Sequence, residues 1–149
     1  MEGKAKRSSA VSVCLAIALT LTACTEAPSD SIDSEVGAPS FSGIDETEIV
    51  TLGGTEPFWS AVIDAEQLTY STPDNIAGET IQVSRFSGNN GLGYSGTLQG
   101  EALEIAVTLG DCSDGMSDRM YPYTATIVLG DRTLFGCGHT DKQPFSGGE

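Results

Sequence analysis

LEIAVTL, at residues 103–109, decides the fold. Its apolar side chains at every second position alternate with Glu104, Ala106 and Thr108, which is the period-two pattern of a strand with one buried face. The stretch YPYTATIVL at residues 121–129 repeats the alternation, with threonine at positions 124 and 126. Two such strands close together in the chain predict an antiparallel sheet that covers a core with one face.

Further strands are predicted on both sides of these two, at residues 49–52, 58–63, 67–70, 80–86, 92–98 and 133–137. Turn residues separate them: Asn90-Gly91 suits a primed hairpin turn, Gln99-Gly100 and Gly130-Asp131 suit two-residue loops, and Gly53-Gly54 separates the first pair. Nothing between residues 48 and 138 has a helical face longer than one turn. Because closure removes exposed edges, we predict an all-β fold, a small antiparallel up-and-down barrel or curved sheet of about eight strands whose interior is filled by side chains.

The N-terminus has the three parts of a lipoprotein signal peptide. A basic start is followed by an apolar run at residues 10–21, too short for a permanent membrane helix, and then by LTAC at residues 21–24. We predict that residues 1–23 are removed and that Cys24 carries the lipid. Thr25 is not the aspartate that retains lipoproteins in the inner membrane, which favours a lipid-anchored, periplasm-facing location at the outer membrane of the bacterial cell envelope. An ordinary secretory signal with a stray cysteine is the alternative.

Composition divides the rest of the chain into three parts. Residues 24–48 are rich in acid, serine, proline and glycine without periodicity, and predict a disordered acidic tether. Residues 49–139 form the single β-barrel domain, and residues 140–149 a flexible tail.

The exported chain is strongly acidic. Removal of residues 1–23 takes away one acid and three basic residues, leaving 20 acids against 4 basic residues, a formal excess of 16 negative charges. Such a field repels nucleic acid and favours encounters with basic proteins. We therefore expect no nucleic-acid partner, and we expect a membrane contact only through the lipid. Solubility alone explains most of the acidity in the simplest interpretation.

Two cysteines remain once Cys14 leaves with the signal peptide and Cys24 is lipidated. Cys112 and Cys137 form an even pair in an oxidising compartment, so we predict a disulfide between them. Closing a loop of this length contributes about 3 to 4 kcal/mol in the chain-entropy description. A metal or redox site is disfavoured because the chain has no CxxC and a single histidine.

Two segments contain the candidate binding residues. GTEPFW at residues 54–59 contains Glu56 and Trp59, which belong either to a binding surface or to a turn and the core. CSDGMSDRMYP begins at Cys112 and contains Asp114, Ser117, Asp118 and Arg119 in a loop held by the predicted disulfide. If the loop is structural, Asp114 or Ser113 caps a helical turn and Arg119 pairs with a carboxylate. The alternative is that this polar loop, held in place by the disulfide, recognises a partner.

These segments, with Gly136-Cys137, resemble the signature of a widespread, functionally uncharacterised group of small bacterial envelope lipoproteins. The resemblance covers residues 54–138 and implies membership without an activity. More distantly, the lipobox, the eight-strand pattern and the C-terminal disulfide resemble the membrane-bound inhibitors of C-type lysozyme. That family presents a serine-glycine loop and a tyrosine to the enzyme cleft, which implies Ser87-Gly88 with Tyr94, or Ser95-Gly96 after Tyr94, as the counterparts here.

Catalysis has little support in the sequence. A nucleophilic triad needs a histidine base, and the sole His139 lies at the start of the tail. A glycan-acting enzyme needs only two carboxylates, such as Glu56 with Asp114 or Asp118, but 20 acids make such a pair easy to find. Asp111, Asp114 and Asp118 lack the alternating ligand spacing of an EF-hand calcium loop, although they remain a weaker candidate.

The sequence thus predicts a lipid-anchored, non-enzymatic binding or structural domain, with no cofactor and no resident metal. The first alternative is an inhibitor of a lysozyme-type cell-wall hydrolase, since an acidic protein associates faster with a basic enzyme. The second is a glycan-acting enzyme.

Overall fold

The computed structural model describes residues 40–148, which form eight antiparallel strands closed into a barrel. Each strand pairs with its neighbours in the chain, and the eighth pairs with the first. The predicted all-β up-and-down barrel is confirmed, because every segment predicted as a strand is one. The strands are β1 (Val50–Thr55), β2 (Phe58–Asp64), β3 (Gln67–Thr72), β4 (Asn75–Ser87), β5 (Gly91–Leu98), β6 (Glu101–Ser113), β7 (Met120–Leu129) and β8 (Arg132–Thr140).

The predictions for the signal peptide, Cys24 and residues 24–39 of the tether concern residues outside the described part of the chain. Among residues 40–148 there is no helix of the length and hydropathy needed to cross a membrane.

The turns agree with the sequence in part. Gln99-Gly100 and Gly130-Asp131 are the predicted two-residue hairpin loops. Asn90-Gly91 is not a primed turn, because four residues separate the last paired residues of β4 and β5. Gly53-Gly54 lies inside β1, and Glu56-Pro57, joined by a cis peptide bond, makes the first turn.

The alternation seen in the sequence places one set of side chains inside the barrel. Leu103, Ile105 and Val107 of β6 are buried, and the residues between them face outwards. The aromatic interior residues are Trp59, Tyr70, Tyr94 and Tyr123. The interior is therefore a packed core of aliphatic and aromatic side chains.

The disulfide is present as predicted. Cys112 and Cys137 are bonded, with their Cα atoms 5.5 Å apart. A register shift between Leu109 and Cys112 brings the end of β6 over β7, so that the bond joins β6 to β8. The segment after Cys112 is held against the outer wall in this way.

The barrel has two different ends, because its strands run alternately in opposite directions. The turns β1–β2, β3–β4, β5–β6 and β7–β8 lie at one end, called here the open end. The other three turns lie at the opposite end, where both flanking segments of the described chain also pack. We call this the closed end.

Residues 41–48 and 140–146 form a terminal plug at the closed end. Ile44 is only 2 % exposed and belongs to the core, and its carbonyl accepts a hydrogen bond from Arg85 Nη2 at 2.9 Å. The Phe41 N–H donates to the Gly88 carbonyl at 2.7 Å. These contacts close the closed end of the barrel with apolar side chains that come from outside the sheet.

Glu48 and Thr140 join the two halves of the plug. Both are buried, and the Thr140 hydroxyl donates a hydrogen bond to the Glu48 carboxylate. Burial raises the pKa of Glu48, but hydrogen bonds from Thr140, the Asp45 N–H and Gln143 outweigh it and hold that pKa below its usual value. The Glu48 carboxylate therefore stays charged and ties the two flanking segments together.

The boundaries of the domain differ from those predicted. The tether was expected to run to residue 48 and the tail to begin at residue 140, yet residues of both segments pack on the barrel. The sequence signal is weak there because one or two apolar side chains, Ile44 above all, suffice to fill the barrel end, and they give no periodicity.

Candidate functional site

Asp114 organises the loop that the sequence marks for recognition, residues 113–119, called the disulfide loop. Its carboxylate accepts hydrogen bonds from the N–H groups of Met116 at 2.9 Å and Ser117 at 2.8 Å, and from the hydroxyls of Ser117 at 2.8 Å and Tyr121 at 3.3 Å. These bonds, that from Met116 first, lower the pKa of Asp114 to about 2. Asp114 caps this turn as expected, although bends and not a helical turn follow it.

Arg119 does not make the predicted pair with a carboxylate. Its guanidinium lies 4.4 Å from the centre of the Phe145 ring, a cation–π contact with the segment after β8. Asp114 and Ser117 are engaged with the backbone of the loop itself, whereas Asp118 is exposed. The loop is thus built mainly to hold its own shape.

Trp59 is a core residue. It is 4 % exposed, and its indole lies against Gly54 and Gly136, where an added Cβ would collide with the ring. The alternative that assigned Trp59 to the core and Glu56 to a turn agrees with this position, since Glu56 is exposed in the first turn. The same two glycines explain why GTEPFW and Gly136-Cys137 occur together in this chain.

The residues implied by the lysozyme-inhibitor resemblance do not form one surface. Tyr94 is 3 % exposed inside the barrel, where burial raises its pKa. Ser95 follows it on the same strand and therefore points to the outer face, where it is exposed. Ser87 lies at the end of β4 by the closed end. Tyr94 is therefore not an exposed tyrosine beside a serine-glycine loop, because strand alternation turns it inwards.

The acidic loop does not gather metal ligands. Within residues 40–148 no group of three or more histidine, cysteine, aspartate or glutamate side chains is close enough to share an ion. The Asp114 oxygens already accept four hydrogen bonds. The weaker calcium candidate, Asp111 with Asp114 and Asp118, has no support in this arrangement.

The open end contains a cleft that the sequence analysis did not identify as a site. This mouth cleft has a volume of about 680 Å³, within the usual range for small-ligand sites. Interior side chains of four strands form its walls, and turn residues form its rim. The walls are Tyr70, Leu98, Leu129 and Leu134; the rim includes Pro57, Phe58, Asp74, Asn75, Gln99 and Arg132.

Tyr70 is a buried tyrosine that lines this cleft. Its ring is stacked near Trp59, with the ring centres 6.4 Å apart, and the residue is 8 % exposed. Burial raises the pKa of the Tyr70 hydroxyl, opposed by the nearby Arg132 guanidinium. This hydroxyl makes no hydrogen bond with any other residue in the described part of the chain. A hydroxyl on so buried a side chain is a donor suited to a ligand in the cleft.

Negative charge surrounds the mouth cleft. The turn segments 55–58, 72–79, 98–102 and 129–133 contain five carboxylates and one basic residue, Arg132. The Arg132 guanidinium is already 3.0 Å from the Glu101 carboxylate, so its charge is largely balanced. The carboxylates are those of Glu56, Asp74, Glu79, Glu101 and Asp131. A potential of this sign attracts cationic groups to the open end.

A second cleft, of about 630 Å³, lies on the outer wall, where Phe86 covers Gly93 and small side chains such as Ala106 form the floor. Tyr94 is the buried polar residue that lines this groove, and Arg85 lies beside its hydroxyl. The mouth cleft combines concavity, an aromatic floor and convergent polar groups, and is therefore the candidate site.

Comparison with protein-family models, with curated proteins and with solved structures finds no match to this chain.

Proposed function

We propose that the protein is a lipid-anchored module of the bacterial cell envelope that binds a ligand in the mouth cleft without catalysis. The observation that carries the binding part is Tyr70, a buried tyrosine that lines a cleft of about 680 Å³ and whose hydroxyl has no hydrogen-bond partner among the described residues. The acidic rim adds a preference for cationic ligands or basic partners. The resemblance to small envelope lipoproteins supports the same location.

Anchoring rests on the LTAC motif at residues 21–24 and the basic and apolar segments before it. Lipid on Cys24 would place the barrel at the outer membrane, facing the periplasm. Cys24→Ala should abolish incorporation of radiolabelled palmitate and release the chain from membranes or stall its processing. Incorporation that persists in the variant would refute this assignment.

A basic envelope protein is the class of partner that the charge favours. The exported chain has 20 acids against 4 basic residues, and part of that excess is concentrated at the open end. Inhibition of a lysozyme-type hydrolase is the second candidate, now through the mouth and not through Ser87, Tyr94 and Ser95. Stoichiometric slowing of lysozyme by the full chain, lost at high salt, would support it.

A glycan-acting enzyme is the third candidate. The sole histidine, His139, contacts the rings of Tyr121 and Phe145 away from the mouth cleft, so acid and base at the mouth would have to be carboxylates or Tyr70. Turnover of peptidoglycan fragments by the purified chain, lost on Glu79→Gln, would establish this enzyme and contradict binding without catalysis.

Photo-crosslinking in intact bacterial cells tests the proposed site. A benzoylphenylalanine at Ile76, which is 84 % exposed and follows Asn75 of the cleft rim, should give a discrete adduct. The same amino acid at the exposed Asn89, at the closed end, should not. Asn75→Trp should block the rim and remove the adduct, whereas Asn89→Trp is the matched control that should leave it. Equal adducts at both positions, or none at Ile76, would contradict the proposal.

A further inference from the structure

The mouth cleft continues into a split in the barrel wall between β4 and β5. The two strands pair from Ser87 with Leu92 to Val83 with Gly96, and the ladder ends there. β4 continues for eight more residues towards the open end, Asn75–Gln82, and these pair only with β3. A side-chain hydrogen bond from Gln99 Nε2 to Glu79 Oε2, 3.2 Å long, crosses the split near its top.

Space is present at both ends of the split. A recess of about 560 Å³ lies at its base, lined by Glu66 and Gln82 on one side and by Ser95 and Thr97 on the other. The mouth cleft is at the top, where Glu79 and Leu98 face each other. The recess and the mouth cleft thus lie at the two ends of the same side of β4.

The segment Asn75–Gln82 is an exposed edge in an otherwise closed barrel. None of its eight residues is buried, in contrast with the alternately buried residues of β6 and β7. Ile76, at the outer end of the edge, is an apolar side chain that is 84 % exposed. An unpaired strand edge of this length is a template for another strand, because its outward N–H and C=O groups have no partner strand.

We propose that this edge binds an extended, basic peptide segment of a partner protein, which pairs with β4 as an added strand and places one side chain in the mouth cleft. This inference rests on the proposed function and names the ligand of the same site. Glu79–Gln82 keep a regular register with β3, whereas a register shift and the positive φ of Gly78 (77°) interrupt β4 before them, so the regular part of the edge offers a few backbone hydrogen bonds to an added strand.

Charge complementarity selects a basic peptide. Glu66 lies at the base of the split and Glu79 at its top, with Asp74 at the adjoining turn. Side chains of an extended peptide alternate, so lysines two residues apart would follow one face of the added strand towards these carboxylates. One of these lysines would enter the mouth cleft beside Glu79 and Tyr70, which are paired across β3 and β4 and therefore face the same side, and the apolar side chains between the lysines would point to the opposite face of the added strand.

The test uses a fluorescein-labelled peptide of sequence KVKFKVK and the full chain in detergent micelles, with fluorescence anisotropy as the readout. We expect saturable binding that the peptide EVEFEVE does not show. N-methylation of the even-numbered amides and N-methylation of the odd-numbered amides give two matched controls, because alternate amides point to opposite edges of a strand. One of the two should weaken binding by about tenfold or more through lost backbone hydrogen bonds, and the other should not.

Two protein variants locate the binding. Glu79→Lys should weaken KVKFKVK binding about tenfold, whereas Glu104→Lys, an exposed change of the same charge on the outer face of β6, should change it less than about twofold. Circular dichroism of both variants checks that the barrel is intact.

The outcomes separate this inference from the function on which it rests. Equal binding of both N-methylated peptides would mean side-chain attraction without strand addition and would overturn the inference. If KVKFKVK does not bind but an adduct still forms at Ile76 in cells, the inference that the ligand is a basic peptide is wrong, and the proposal of a binding site at the mouth cleft is kept. Failure of both measurements would overturn the inference and the proposed function together.

Discussion

Replacement of Ile44 by alanine tests whether the plug is part of the folded domain. In the sequence this residue stands in an acidic, periodicity-free stretch, where an exposed tether would make the change neutral. In the structure Ile44 is 2 % exposed and packs in the core at the closed end. Ile44→Ala should therefore destabilise the barrel.

The magnitude follows from the atoms removed. Isoleucine to alanine deletes three carbon atoms, worth about 0.8 kcal/mol each when buried, or roughly 2.4 kcal/mol. The residual cavity adds to this cost, but the plug lies at the barrel end and relaxes in part, so we expect about 2 to 3 kcal/mol. With a urea slope of about 1 to 1.5 kcal/mol per molar, the unfolding midpoint should fall by roughly 2 M.

The assay is urea unfolding of the chain from residue 25 onward, followed by the fluorescence of Trp59. The matched control is Ile76→Ala, the same change at a residue that is 84 % exposed, which should cost less than about 0.5 kcal/mol. Equal midpoints for the two variants would refute the assignment of residues 41–48 to the folded domain.

The other predictions concern the disulfide, the loop and the glycines beside Trp59. Replacing Cys112 and Cys137 together by alanine should cost about 3 to 4 kcal/mol, because a closure of 25 residues is lost; an unchanged unfolding midpoint would contradict it. The carboxyl carbon of Asp114 should titrate near pH 2 in an NMR experiment. The Ser117 amide should stay ordered above the usual aspartate pKa and lose its order as the pH falls through about 2. Titration of Asp114 near the usual aspartate pKa would show that the loop hydrogen bonds do not form in solution. Gly136→Ala places a Cβ against the Gly53 carbonyl, where it would collide, and should cost about 1 to 3 kcal/mol in urea unfolding. Gly100→Ala, at a turn where no atom is near but φ is +83°, should cost less.

The barrel could be predicted because its evidence is local. Alternation at residues 103–109 and 121–129 fixes which side chains face the core, and two-residue turns such as Gln99-Gly100 fix antiparallel neighbours. The disulfide followed from compartment and parity alone. Closure also follows, since eight neighbouring strands leave exposed edges unless the last pairs with the first.

The site could not be predicted in the same way, because it is assembled from residues distant in sequence. Tyr70, Leu98 and Arg132 come from three different strands and meet only after closure. A signal was nevertheless present: in an up-and-down barrel alternate turns share one end, and the first, third, fifth and seventh turns all have a carboxylate in or beside them. The acidic rim could therefore have been predicted from the positions of these carboxylates in the sequence, although the cleft itself could not.

Tyr94 shows why spacing alone does not identify the exposed tyrosine that the lysozyme-inhibitor resemblance implies. A tyrosine seven residues after Ser87 matched the inhibitor resemblance in composition, but strand parity, and not spacing, decides which face a side chain occupies. Tyr94 pairs with Arg85 and Ile105 on the inward face. Its neighbour Ser95 is outside for the same reason.

The most direct test of the mouth as the recognition site compares it with the disulfide loop in one experiment. Benzoylphenylalanine is placed at Ile76, next to Asn75 of the cleft rim, or at Met116 in the disulfide loop, both strongly exposed, and adducts are compared after irradiation of intact cells. The account predicts a discrete adduct from Ile76 that Asn75→Trp removes, with none from Met116. An adduct from Met116 alone would contradict it and place recognition at the disulfide loop.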